Sequence, residues 1–333
     1  MEIKSILVML ITTILFSAPS LSRAFMYEIF DLGGGEWRDL NNNGQVVGSW
    51  GYWKDGVLTG GGDSPDPFYA INDSGQMTGK HYTGQAFIQD ASGNRAYLPF
   101  LDGQHLYPTA INNSGLIVGH NESYHTLFHW DAANGIESLV STGYANGIND
   151  NGEIAGTLTS GGYIYAYIWN EDGGFNVFGN IGSDAYGIND SGQVVGYIDS
   201  ALVGKPAFIW DENNGMRYLD SLYPEGGDTW NGVTSMALGI NNYGVVVGHI
   251  RNGLNQVDHA VIWNINGEVS DLNELIDPTL GWNLTKAVAI NDNGWIIGQG
   301  INPEGFEHGF LLTPEPATLL LLGLGALILR GKH

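Results

Sequence analysis

Between residues 183 and 220 the apolar side chains come in four short runs. SDAYGIN is an extended run, QVVGYI is β-branched, and PAFIWD and MRYLD follow. Each is bounded by Asn, Asp, Gly or Ser, so the pattern predicts strands and not helices. The turns between them are Asp190-Ser191-Gly192, the longer DSALVGK and the tight ENNG.

The same unit recurs along the chain. The pattern [IL]-N-x-x-G occurs at Leu40-Asn41, Ile71-Asn72, Ile111-Asn112, Ile148-Asn149, Ile188-Asn189, Ile240-Asn241 and Ile290-Asn291. Successive asparagines lie 31, 40, 37, 40, 52 and 50 residues apart, which brackets the span of a propeller blade. The third run returns as QAFIQD, HTLFHWD, YAYIWN, HAVIWN and HGFLLT, and the fourth as RAYLPF, GIESLV and EVSDLN. Four antiparallel strands written seven times predict an all-β, seven-bladed β-propeller. The last unit stops after its third strand, HGFLL, at the C-terminal tail. A spare strand, Tyr27 to Leu32, stands at the other end and is expected to pair outside HGFLL. Such closure removes an unpaired sheet edge.

The two ends lie outside this pattern. Lys4, the apolar run from Ile6 to Phe16 and the small residues around Ser22-Arg23-Ala24 read as a secretory signal peptide over 1–24. At the C-terminus Ala317 to Leu329 is an apolar helix of 13 residues, about 20 Å long and shorter than a bilayer core. Pro314 and Pro316 precede it, and Arg330 and Lys332 follow. This tail resembles the PEP-CTERM sorting signal of Gram-negative bacteria, with Pro314, Glu315 and Pro316 as its motif. The resemblance implies export, transient anchoring in the inner membrane through the tail, and processing by signal peptidase and exosortase. Delivery to the cell surface or an exopolysaccharide matrix would follow. The expected division is therefore 1–24, a propeller over 25–313, and a sorting segment over 314–333.

Composition narrows the partners. The chain has 12 basic and 35 acidic residues, a formal charge of −23, and 50 glycines. Loss of Lys4, Arg23, Arg330, Lys332 and Glu2 at the two ends leaves eight basic and 34 acidic side chains, a charge of −26. Nucleic acid, which needs clustered Lys and Arg, is excluded as a partner. With no cysteine there is no disulfide framework, thiolate metal site or cysteine nucleophile. No cofactor is expected.

The repeats also resemble those of the HAF-repeat extracellular family. The triplets are Gln85-Ala86-Phe87, Pro206-Ala207-Phe208, His259-Ala260-Val261 and His308-Gly309-Phe310, and Asp31-Leu32-Gly33-Gly34-Gly35 is similar to its entry. That resemblance implies secretion and repeats, and no catalytic residue.

Asn-Asp-x-Gly between two strands predicts a turn, with Gly supplying positive φ. Asn72, Asp73 and their equivalents offer too few acids for a calcium loop, so no metal site is expected. Trp130, Trp169, Trp210 and Trp263 recur at one strand position and read as packing between blades. Candidate chemistry lies in what the repeat does not explain. Two insertions, 222–236 and 275–285, join a fourth strand to the next blade's first strand. They share one face with the second-to-third-strand loops, opposite the Asn-Asp-x-Gly turns. On that face Trp230, Trp282, Tyr82, Tyr124, His120, His125 and His249 are candidate ligand-binding residues, suited to stacking on sugars and bonding their hydroxyls. Asp199, Arg251 and Glu304 lie in the same loops. The expected function is non-catalytic binding of a glycan or protein. The alternatives are a polysaccharide hydrolase or lyase using Glu122 or Glu304 with His120 or His125, and a calcium-organised scaffold. No G-x-S-x-G nucleophile motif is present.

Overall fold

A computed structural model describes residues 26–60, 66–122, 125–179, 181–199, 205–223, 233–253 and 256–315. The signal segment 1–24, Tyr124, Trp230, Pro316 and the apolar tail lie outside the described residues.

The strands form seven separate four-stranded antiparallel sheets. Six are consecutive in sequence: blades 1 to 6 begin at Trp37, Phe68, Leu106, Gly143, Ser183 and Thr234. Blade 7 takes its inner three strands from Asn283–Ile290, Ile296–Ile301 and Glu307–Pro314. Its outer strand is the N-terminal Tyr27–Gly33, which runs antiparallel to the last, Tyr27 opposite Pro314 and Asp31 opposite Phe310. The seven-bladed propeller and its closure by the spare strand are as the repeat count requires.

Apolar side chains fill the spaces between blades. Trp210 stacks on Phe178 of the preceding blade at 4.1 Å, and the fully buried Trp263 donates its Nε1–H to the Asp220 carbonyl at 2.8 Å. The repeated tryptophans therefore serve blade packing, where large aromatics bury the most area.

The repeated asparagine shapes its turn and also ties the blades together. In blade 5 Asn189 Oδ1 accepts from the backbone N–H of Ser191 and Gln193, holding the turn. Its amide donates to the carbonyl of Asn241 in the next blade, at 3.0 Å. The same bond runs from Asn41 to Asn72, Asn72 to Asn112, Asn112 to Asn149, Asn149 to Asn189, Asn241 to Asn291, and Asn291 back to Asn41. The seven buried asparagines form a closed ring of hydrogen bonds. A buried amide needs such partners, and this one satisfies a neighbouring carbonyl while doing so.

Gly196, in the second strand of blade 5, has its own cause. Every inner strand carries a one-residue β-bulge, between Ala185 and Gly187 in blade 5. The bulge pushes the Asp184 carbonyl against Gly196 of the second strand, leaving no room for a Cβ. Gly48, Gly79, Gly119, Gly156, Gly248 and Gly298 meet the same obstruction in the other blades. Bulges re-aim side chains, and here the bulged residue of each blade faces the central channel.

Candidate functional site

Those bulged residues are Arg38, Tyr69, Thr109, Asn146, Tyr186, Leu238 and Val288, each three positions before the ring asparagine. All seven line both a cavity of 310 Å³ toward the turn face and one of 400 Å³ toward the loop face, so they form the waist of the channel. The repeat fixes their place and leaves their chemistry free.

The turn-face end is acidic. The residue after each ring asparagine is Asn42, Asp73, Asn113, Asp150, Asp190, Asn242 or Asp292. Each donates its backbone N–H to the side chain of the next, closing a second ring. The amide of Asn113 spans Asp73 and Asp150, that of Asn242 spans Asp190 and Asp292, and that of Asn42 spans Asp292 and Asp73. Acid and amide alternate until the odd seventh member brings Asp150 beside Asp190 with no amide between them.

The loop-face end is aromatic and carries positive charge. Its cavity is lined by Arg38, Lys286, Tyr69, Tyr107, Tyr186 and His120, with no carboxylate in the wall among the described residues. The Arg38 guanidinium lies 4.5 Å from the Tyr69 ring centroid, and Lys80 Nζ lies 3.4 Å from that of Tyr107. His120 stacks on Tyr107 at 5.6 Å, meets Tyr144 edge-on at 4.9 Å and lies 5.8 Å from the His125 ring. Burial, with His125 and Lys80 nearby, pushes His120 down to about 4, so it is neutral at neutral pH. Tyr144 Oη lies 3.3 Å from His125 Nε2.

A second cavity of 670 Å³ opens beside the first and shares Arg38, Lys286 and Val288 with it. His249, Arg251, Asp258 and Gln299 line it too. Burial and the Lys286 charge push His249 down to about 4. Asp184 stands one step outside the waist. Burial raises its pKa, while Thr157 and Tyr186 donate to its carboxylate and oppose the shift.

The sequence-predicted residues that are described fall in four places. His120 and His125 meet at blade 3. Tyr82 is strongly exposed at blade 2, 4.1 Å from His81, with its N–H held by Asp66 Oδ1 at 2.8 Å. His249 sits across the channel in blade 6. Trp282 is half-buried against the core shared by blades 6 and 7. Sequence reasoning missed Arg38, Tyr69, Tyr107, Tyr186 and Lys286. Aligning the seven copies on the asparagine and reading three and five positions back would have found them, because these are the wall positions where the copies differ.

The comparisons bear on this geometry. Residues 312–332 match the PEP-CTERM protein-sorting motif. The chain therefore carries a signal for export and for processing by exosortase. Residues 159–279 match a family described as a protein of unknown function, DUF3466. No curated protein matches the chain. Among solved structures it is similar to "YCF48 bound to D1 peptide", at 14% identity and TM-score 0.54, over 89% of this chain and 97% of that one. The β-propeller domain of the Trilobed protease from Pyrococcus furiosus aligns at 12% identity and TM-score 0.53, over 87% and 94%. A puromycin hydrolase S511A mutant aligns at 10% and 0.56, over 91% of this chain and 52% of that one. Likeness at these identities shows the propeller fold alone.

Among the described residues no helix is long and apolar enough to cross a membrane, and no three His, Asp or Glu side chains gather as a metal site.

Proposed function

We propose that this is an exported surface or matrix propeller that holds a glycan or a protein segment at the loop-face end of its channel without transforming it. Its export begins at the signal segment 1–24 and ends with removal of the tail, leaving the propeller at the cell surface or in exopolysaccharide, as the HAF-type triplets also imply. The observation that carries the reading is the channel wall. Seven bulges on seven braced sheets aim Arg38, Tyr69 and Tyr186 at one space, and Tyr107 and Lys286 join them. Rigid scaffolds with variable wall residues are how propellers acquire ligands.

The non-catalytic part of the reading is supported by the state of nearby carboxylates. Glu36 bonds Arg38, Glu122 accepts from Tyr107 and lies 3.8 Å from Lys80, and Asp184 accepts from Thr157 and Tyr186. Hydrolysis of a glycosidic bond needs two carboxyl groups flanking an open space. One observation favours an enzyme instead: burial holds Asp184 toward its protonated form, which suits a general acid.

A glycan-array screen of the exported protein, with Tyr69→Ala and Tyr107→Ala variants, tests the reading. Bound glycans lost in both variants are expected. Signal unchanged in both removes the channel site, and product release from a bound polysaccharide, abolished by Asp184→Asn, replaces the reading with the enzyme. Trp282→Ala is expected to change stability more than binding.

A further inference from the structure

Cations are scarce in this chain, and their placement is selective. Between residues 26 and 315 only Arg38, Lys54, Lys80, Arg95, Lys205, Arg217, Arg251 and Lys286 are basic. Arg95, Lys205 and Arg251 are committed to Asp66, Asp199 and Asp258. Arg217 donates to the carbonyls of Ile265 and Asn266. Arg38 uses Nη2 on Glu36 at 2.9 Å, but its buried Nη1 has no hydrogen-bond partner among the described residues. His249 Nδ1, in the wall of the same cavity, is buried and unpartnered as well. Lys286 lines that cavity and the tyrosine-lined one, and it makes no ion pair among the described residues.

Two buried, unpartnered nitrogens on side chains that line one cavity are costly, since each forfeits water without gaining a partner. An anion entering there would supply acceptors to these side chains, against the Glu36, Asp258 and Glu307 carboxylates in the same wall. One ring tautomer of His249 makes Nδ1 a donor, and an arginine Nη1 is always one. The opposite end of the channel presents Asp73, Asp150, Asp190 and Asp292, while the described wall of the tyrosine-lined cavity holds Arg38 and Lys286, so the channel has a polarity that draws a negative group into that cavity.

Resting on the binding reading above, we infer that Arg38, Lys286 and His249 form a subsite for one carboxylate at the end of an acidic saccharide chain. The formal charge of −26 opposes a long polyanion lying across the surface. Screening within about 8 Å leaves the local cations to act on a group that enters the channel end-on. Tyr69, Tyr107 and Tyr186 put aromatic surface and hydroxyls into the same wall. Thr109 Oγ1 and Asn146 Nδ2 donate to carbonyls of the next blade, which leaves the Thr109 and Asn146 oxygens as acceptors for sugar hydroxyls. A peptide end would bring N–H groups to a wall whose backbone is already paired in the sheets.

Calorimetric titration of the exported, processed protein with a glucuronate-terminated disaccharide, its neutral glucose-terminated analogue and a peptide ending in glutamate tests this. The uronate is expected to bind at least about tenfold tighter than the neutral sugar, as a charge-assisted bond requires. Arg38→Gln and Lys286→Gln should each erase most of that preference, while Lys54→Gln leaves it intact. Lys286 is exposed, so its variant reports on binding even if Arg38→Gln weakens the fold. Equal binding of the two sugars overturns the subsite and leaves the glycan reading standing. Binding of neither sugar overturns both. Tighter binding of the peptide than of the uronate overturns the saccharide assignment.

Discussion

Asp39 is the residue at which blade 1 departs from its six siblings. The equivalent positions hold Ala70, Ala110, Gly147, Gly187, Gly239 and Ala289. Asp39 accepts from the Leu40 N–H and, across the blade boundary, from the Ile71 N–H at 2.9 Å. Burial, with Asp73 adding repulsion, pushes its pKa up to about 7 despite those bonds. A carboxyl raised in the folded state contributes its stability below the unfolded value near 4 and loses it as pH rises through 7. The cost across that window is at most about 4 kcal/mol. His120 and His249 act in the opposite sense: both are depressed, so their contribution is lost as pH falls from about 6.5 to 4. The difference between the wild-type and Asp39→Ala stability curves therefore isolates the carboxyl. Urea melts at pH 4 to 8 should show the wild type losing ground to the variant between pH 4 and 7. Parallel curves would mean that Asp39 ionises freely in the fold. Asp39 shows why the site was less legible than the fold. Gly196, Asn189 and Gly192 repeat because backbone geometry demands them in every blade, and repetition is visible in one sequence. Arg38, Tyr186 and Lys286 matter because they do not repeat, so they show only once the seven copies are aligned and the bulge that aims those positions inward is known.

At the scale of the element, the inner-strand turn joins its neighbours through two rings of hydrogen bonds, and the second is frustrated by parity. Seven members cannot alternate acid and amide without one like pair, and the sequence places the fault at Asp150 and Asp190. Asp150→Asn cannot abolish the fault. It moves the mismatch one blade back, to Asn113, and changes it from two carboxylates to two neutral amides, which repel less. The new amide can donate to Asp190 as Asn242 does now at 2.7 Å. The expected gain is about 1–2 °C in Tm at low ionic strength, shrinking in high salt because the relieved term is a solvent-facing repulsion. Differential scanning calorimetry at two salt concentrations checks it, and a gain that salt leaves untouched would assign the effect to turn propensity. The turn was legible as a turn from Asn-Asp-x-Gly alone. Its second role was not, because the carbonyl that Asn189 reaches belongs to Asn241, 52 residues away.

The whole molecule is held shut by its two ends. Tyr27–Gly33 buries Tyr27 in the core between blades 6 and 7 and Leu32 in the core between blades 7 and 1, so one strand bridges both neighbours of the closing blade. His308 lies 2.8 Å from Asp31 across the same seam. The pairing runs to the limit of the sheet: Tyr27 faces Pro314, and the Glu315 N–H donates to the Met26 carbonyl at 2.9 Å. The sorting motif thus begins inside the closing strand pair, with no spacer. Removal of the tail beyond Glu315 leaves this clasp whole, whereas a cut before Pro314 would fray it. Deleting residues 26–33 should cost about 3–6 kcal/mol from the two buried side chains alone, and it should leave the strand Glu307–Pro314 as an open edge. A lower Tm with self-association in size-exclusion chromatography is expected. A synthetic peptide covering 26–34 should restore both the Tm and the elution volume of the untruncated protein, and one carrying Leu32→Asp should not. A truncated protein that elutes as the untruncated one does and keeps its Tm would show that the inter-blade asparagine ring closes the propeller without the strand.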